Sequence, residues 1–352
     1  MSAAKTRLIR HALSAMTFTG LDRLYAQLDR ELGMILTFHR VERDQPDERT
    51  PNAHLTVHPG FLDDVISLLK RRDIEMVSMD EARRRIAKPT DYQRFATLTF
   101  DDGYRDNLEN ALPVLESHGA PATLYIAPGL VEGTASLWWE GLGQLVAQQQ
   151  RFVFAGDKGP VEFDCTSMAR KQESFTALVK YLIAAVPEHL IQQRVAELCW
   201  LYKIDVAKIT KDAIMTWNEI RQMVASPLVT AGAHTMNHHH LARLPQERAR
   251  DEIYQSALVL EAELGRKPKH LAFPYGYHTA AALREFDIAR DLNFDTAVTT
   301  RPGMIFAEHG EHLTALPRMS MNGLCQRARY IGPLTSGLPS RIKNRLNKLD
   351  VG

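Results

Sequence analysis

Beyond residue 33 the chain alternates short apolar runs with stretches whose apolar residues recur every three or four positions, the periods of strands and amphipathic helices. Residues 34–38 form the first strand-like run. Phe61, Leu62, Val65, Ile66 and Leu69 then share one helical face, and residues 74–77 make a second, shorter run. Ser78, followed three residues later by Glu81, predicts a capping box opening the next helix. Residues 95–100 (FATLTF) predict a strand, followed by a helix ending near Gly119 and a strand over 122–126. A second capping box, Thr216 with Glu219, precedes Ile220, Met223 and Val224. Strands at 228–233, 271–275 and 296–300 alternate with helices at 245–264, closed by Gly265, and near 279–292. Repeated βα units of this kind predict an α/β fold around a parallel sheet, closed or nearly closed. Chemistry in such a sheet belongs at the C-terminal ends of its strands.

Residues 134–215 break the rhythm. They lack convincing strand repeats and read as helices, with Phe175, Leu178, Val179, Leu182 and Ile183 at helical spacing and Pro187 as an interruption. They predict a helical insertion that serves as a lid, a substrate wall or an oligomer contact. The chain thus divides into an N-terminal helical segment at 1–32, a βα body at 33–320 that contains the insertion, and a basic C-terminal tail at 321–352. Near the start, Lys5, Arg7 and Arg10 precede an apolar stretch that imitates a short signal peptide. Ser14, Thr17, Thr19 and Gly20 interrupt it and no small-x-small cleavage pattern follows, so an amphipathic first helix is expected.

Composition narrows the class. At 352 residues the length suits two domains or one large α/β barrel. With 43 Lys+Arg against 42 Asp+Glu the net charge is +1, which offers no global attraction to nucleic acid. The hydrophobic share of 45% and charged share of 24% fit a folded chain with a sizeable core rather than a disordered one. The three cysteines, Cys165, Cys199 and Cys325, are widely spaced, which argues against a cysteine zinc site or a disulfide framework. No run of 18 apolar residues is present to span a membrane. A soluble, cytoplasmic protein is the expectation. Arg341, Lys343, Arg345 and Lys348, with Ile342, Leu346 and Leu349 at helical spacing, form a basic end that resembles a solvated helix face or a peripheral contact with an anionic membrane.

Three polar segments each follow an apolar strand and therefore converge on one mouth. The first is Thr99-Phe100-Asp101-Asp102-Gly103, a turn-like sequence that carries two carboxylates. The second runs from Ala231 to His240 and holds His234 and His238 four residues apart, which on a helical turn brings both imidazoles to one side. Two neutral imidazoles and one carboxylate make a site for a first-row metal with open positions. His239 and His240 point away from that face and suit packing or substrate contact. The third is Phe273-Pro274-Tyr275-Gly276. Because adjacent strand residues point to opposite sides, Asp101 and Asp102 can serve one site only if the strand end bends, as Gly103 permits.

In that order, TFDDG at 99–103, HTxxH at 234–238 and FPYG at 273–276 resemble the polysaccharide deacetylases, the NodB-homology carbohydrate esterases. The resemblance runs from about Ile35 to Arg318, apart from the insertion. It implies a deformed (β/α) barrel of about seven parallel strands and metal-dependent removal of acetyl groups from an N-acetylhexosamine in a glycan. Asp101 then matches the general base; Asp102, His234 and His238 match the ligands of a divalent metal, zinc above all. Tyr275 matches the position whose backbone N–H, beside Pro274, holds the oxyanion. The chemistry agrees: a bound Zn²⁺ lowers the pKa of water to about 7, and a carboxylate beside it can take the water's proton.

Two positions depart from the family pattern. Ala272 stands where an arginine is frequent two residues before the motif proline. Leu316-Pro317-Arg318 stands where a Leu-x-His supplies the general acid, and arginine gives up no proton at neutral pH. His39, at the end of the first strand, is the replacement expected, as in a branch of the family with rearranged strand order; a histidine that merely caps the strand is the other reading. Arg318 is expected to orient Asp101 or bind a substrate anion. Esterase action on O-acetyl groups, amidase action on a small non-sugar amide, and glycan binding without catalysis remain alternatives. A glycosidase is disfavoured, since its carboxyls stand about 5–9.5 Å apart across the bond.

Overall fold

The computed structural model describes residues 3–28, 31–44, 49–90, 93–156 and 159–352. In chain order its strands are β1 (Gly33–Phe38), β2 (Arg40–Val41), β3 (Thr56–Val57), β4 (Glu75–Met76), β5 (Phe95–Phe100), β6 (Ala122–Ile126), β7 (Arg151–Gly156), β8 (Gly159–Asp164), β9 (Val229–Ala233), β10 (His270–Ala272), β11 (Thr296–Val298) and β12 (Met319–Ser320). The main sheet is entirely parallel and runs β11-β10-β9-β6-β5-β1-β12, with β4 beside β5. The segment that ends in β12 also bonds to β11: Leu316 N–H donates to the Ala297 carbonyl and Thr299 N–H to the Leu316 carbonyl. The sheet thereby curls round as a deformed (β/α) barrel. All residues of β1, β5 and β6 are buried, as parallel strands covered on both faces require.

The local signals explain most of the helices. Ser78 caps Met79–Ala87 by accepting from the Glu81 N–H, while the Glu81 carboxylate turns to Arg85 instead of completing the box. Thr216 and Glu219 form the full reciprocal box that opens Trp217–Val224. Gly265, at φ +69°, ends Gln246–Leu264 in the left-handed conformation glycine tolerates. Strand β10 stops at Ala272 rather than 275, because Pro274 has no N–H for the ladder and Tyr275 adopts φ +61°.

The insertion differs from its prediction in one respect. Within it, β7 and β8 form an antiparallel hairpin in which Phe152 stacks on Phe163. Its outward positions include the exposed Val153 and Val161, which blur the apolar–polar alternation, so the helical pattern around it dominates the sequence. The helices Trp138–Gln148, Met168–Ala185 and Ile191–Leu201 join this hairpin around a separate hydrophobic core that includes Leu142, Leu178, Leu182 and Val195.

The chain ends pack together. Helix Ala3–Thr19 lies against Ala328–Leu334, and Arg341 reaches the Tyr25 hydroxyl. Residues 1–2 and 29–30 of the N-terminal segment lie outside the described residues. The helix expected over 341–348 ends at Lys343, since Arg345 and Leu346 take positive φ. Among the described residues no helix is long and apolar enough to cross a membrane, and the three cysteines are free and buried.

Candidate active site

The ends of β1, β5, β9 and β10 bring the polar segments together. The Asp101 N–H continues the ladder by donating to the Phe38 carbonyl (3.0 Å), and the His234 N–H donates to that of Ile126 (2.9 Å). Just past these bonds the backbone departs from extended geometry. Asp102 has φ +73° and Gly103 φ +78°, so the bend expected at Gly103 begins on Asp102 itself. That left-handed step turns Asp101 and Asp102, neighbours in sequence, into one cleft. Residues forced into this region cost roughly 1–3 kcal/mol each and persist where the surroundings dictate them.

The second motif is not helical. His234 to His238 forms a loop in which Thr235 and His238 are left-handed (φ +59° and +55°), and this loop, not a helical turn, apposes the imidazoles. The His234 and His238 Nε2 atoms stand 3.4 and 3.3 Å from the same oxygen, Asp102 Oδ1. That oxygen is buried and accepts no well-formed hydrogen bond. His234 Nδ1 faces the Ala272 carbonyl oxygen at 2.7 Å; as that atom can only accept, the ring donates there and directs Nε2 at Asp102. A buried carboxylate oxygen without a donor, flanked by two imidazole nitrogens, is a fitting donor set for a divalent first-row metal; among the described residues these three form the one such cluster. Burial lowers the His238 pKa to about 4, which keeps the ring neutral. Burial also pushes the Asp102 carboxyl up, but the adjacent His234 and His238 outweigh it and hold the carboxyl below its ordinary range.

Asp101 is gripped from behind. Arg318, fully buried, donates from Nη1 to Oδ1 and from Nη2 to Oδ2, both at 2.7 Å, and is itself fixed by the Thr99 hydroxyl (3.1 Å) and the Thr299 carbonyl (2.9 Å). Burial opposes ionisation of Asp101, yet the guanidinium and the nearby histidines prevail and set its pKa well below the usual carboxylate range. Of the two roles expected for Arg318, this bidentate contact is the geometry of the positioning one. Arg318 is 1% exposed and is not among the residues that line the cleft. His39 does line the cleft, with Nε2 4.0 Å from Asp101 Oδ2 and its carbonyl held by the Asn107 amide.

The third motif forms a tight turn at the rim. The Thr300 hydroxyl donates to the Tyr275 carbonyl (2.5 Å) and its N–H to that of Gly276 (3.0 Å). A Cβ at Gly276 would fall 2.5 Å from the Thr300 nitrogen, so only glycine fits there. Among the described residues no acceptor takes the Tyr275 N–H, while its ring packs on His238 and His240. Pro274 lies buried behind the turn, not on the cleft surface; its carbonyl accepts from Gly276. His239 turns away to Glu252, as expected.

The cleft measures about 390 Å³. Its walls include residues that no motif marks: Trp138, Trp139, Phe175, Val179 and Ile183 from the insertion, and Asn52, His54 and Leu55 from the 3-10 turn Pro51–Leu55. Trp139 covers His238 at 4.7 Å between ring centroids and donates its indole N–H to the Tyr104 hydroxyl. The insertion is therefore a wall of the cleft. The adjacent tryptophans were the one visible signal; the aliphatic residues share the helical pattern of any core.

A polar constellation at the C-terminal strand ends of a β/α barrel places the protein among the barrel enzymes. The polysaccharide deacetylase profile matches residues 88–152 and 188–297, passing over 153–187. The chain belongs to that family and is a hydrolase of carbon–nitrogen bonds other than peptide bonds, acting on acetylated glycans. Three solved structures share the fold. The deacetylase PplD of Streptococcus pyogenes is 20% identical, with a TM-score of 0.54 over 82% of this chain and 92% of that one. IcaB of Ammonifex degensii is 16% identical, with 0.53 over 86% and 97%. The BpsB deacetylase domain of Bordetella bronchiseptica is 17% identical, with 0.50 over 83% and 98%. A comparison with curated protein sequences finds no match.

Proposed function

We propose that the chain is a metal-dependent N-deacetylase of N-acetylhexosamine-containing glycans, with Asp102, His234 and His238 holding the metal, zinc being the best fit to this donor set. The observation that carries the reading is the division of labour between two adjacent carboxylates. Asp102 offers a bare oxygen to two imidazoles, while Asp101, clamped by Arg318, is kept ionised beside them. A divalent metal bound there would polarise the acetyl carbonyl and make water acidic near neutral pH.

Asp101 accepts the proton of the attacking water as its oxygen bonds to the acetyl carbon. Arg318 keeps both carboxylate oxygens in place, leaving lone pairs free toward the cleft. The unclaimed Tyr275 N–H donates to the oxyanion, an interaction of a kind worth about 2.7–4 kcal/mol. His39 then protonates the departing nitrogen as the carbon–nitrogen bond breaks, yielding acetate and a free amine. The placement of a histidine on the cleft beside the base favours an amide over an O-acetyl substrate, since an amine needs that proton to leave.

The test separates ligand from base. Asp102→Ala, His234→Ala and His238→Ala should each lose bound metal by elemental analysis and release no acetate from N-acetylglucosamine oligomers. Asp101→Asn should retain the metal and lose about 10²–10⁴-fold in kcat. Near-full turnover by Asp101→Asn would refute the assignment of the base.

A further inference from the structure

We propose that the outer part of the cleft binds an aliphatic chain attached to the acetylated sugar, so that the substrate is a glycolipid. The inference rests on the deacetylase reading of the same cleft and names its substrate class.

Helix Met168–Ala185 is divided lengthwise. Leu178 and Leu182 are buried in the core of the insertion, whereas Phe175, Val179 and Ile183, spaced four apart and half-buried, line the cleft as one ridge, Phe175 and Val179 also packing against that core. The turn Pro51–Leu55 packs against this helix and sets Leu55 into the same surface. The aliphatic side chains thus gather on the wall that the insertion and this turn build. Among the described residues no Lys, Arg or Glu side chain lines the cleft, and its carboxylates are Asp101 and Asp102.

The ridge is poorly matched to further sugar rings, whose polar partners would have to be Asn52, His54, Tyr277 and Thr300 elsewhere on the cleft. Hydroxyl groups pressed against valine, isoleucine and leucine would lose their water without gaining hydrogen-bond partners. The indole of Trp139, near His238, offers a flat face for the sugar that reacts. The aliphatic ridge complements methylene groups, and the lack of Lys and Arg among the described lining residues disfavours a phosphate-bearing linker inside the cleft.

The ridge also lies outside the part of the chain that matches the family profile. Phe175, Val179 and Ile183 all fall within 153–187, the stretch that the family profile passes over. The chain ends add an independent hint of a lipid surface. Leu8 and Phe18 at one end and Ile342 and Leu346 at the other are 63–92% exposed, beside the basic Arg7, Lys343 and Arg345.

Isothermal titration of the purified protein with glucosamine and with butyl, hexyl and octyl glucosaminides, below their micelle concentrations, reads the groove without requiring turnover. Kd should tighten by up to about fourfold for each methylene that leaves water. The Val179→Ser/Ile183→Ser double variant, or Ile183→Glu alone, should flatten the series while binding glucosamine as the parent does. Both positions are only half-buried, so the fold should survive, which circular dichroism checks. A Kd independent of chain length in the parent protein overturns the proposal even if acetate is released. A chain-length dependence undiminished in folded variants puts the chain elsewhere and overturns it too. Chain-dependent binding without acetate release from the N-acetyl forms would leave the groove standing and refute the deacetylase reading instead.

Discussion

The strand ends and the insertion line the same cleft by opposite means. At the strand ends, charged groups are buried: Asp101, Asp102, His234 and Arg318 are each no more than 2% exposed. Four residues there, Asp102, Thr235, His238 and Tyr275, hold left-handed backbone angles. Such an arrangement survives only on a rigid frame, which the parallel sheet supplies through its ladder and through Arg318. The insertion has its own apolar core and presents to the cleft Trp138, Trp139 and the half-buried side of an amphipathic helix. The lesson is a separation of tasks. Groups that react are fixed by long-range polar contacts at the barrel mouth; the surface facing the rest of the substrate is built independently and can differ between relatives without disturbing them.

The harshest test of that separation is Arg318→Met. It leaves Asp101 buried without its counter-charge, which should cost about 3–5 kcal/mol in urea unfolding at neutral pH and abolish turnover. The pH dependence gives the sign. In the parent chain the Asp101 pKa is held down, so its contribution is present above the unfolded carboxylate pKa and is lost only in strong acid. In the variant, burial alone would raise that pKa, and the folded state would resist ionisation. The stability gap between the two proteins should therefore widen from pH 4 to pH 7; a constant gap would show that the pair is not coupled as described.

A sharper probe within the mouth is His39→Ala. It should lower kcat on an N-acetyl sugar by about 10²–10⁴-fold with metal content unchanged. An activated acetyl ester, whose leaving group needs no proton, should be much less affected. Equal losses on both substrates would make His39 a positioning residue.

The mildest effect on chemistry is expected from the other side of the comparison. Leu178→Ala opens a cavity in the core of the insertion and should cost about 2–5 kcal/mol of stability. Because that core is separate, metal content and kcat should hold while KM rises several-fold. A loss of bound metal in the folded variant would show that the two regions are not independent.

Much of this was legible in the chain itself. Apolar periodicity located the βα units, and capping and glycine signals located helix ends, because these depend on interactions within a few residues. The three motifs at strand ends were legible for the same reason, together with the family they resemble. What periodicity could not show was how the motifs meet. The apposition of His234 and His238 comes from a left-handed loop, where sequence spacing suggested a helical turn. The choice between two roles for Arg318 was made by barrel closure, which carries a guanidinium 217 residues along the chain to the back of Asp101. The wall of the cleft was hidden because Phe175, Val179 and Ile183 have the same spacing as buried neighbours, and periodicity does not tell which partner a helix face will meet. The sequence alone determined the local elements, through short-range forces, and the candidate reacting groups, through the motifs that carry them; the tertiary structure alone decided their apposition, ionisation and surroundings, because these arise from contacts between residues far apart in the chain.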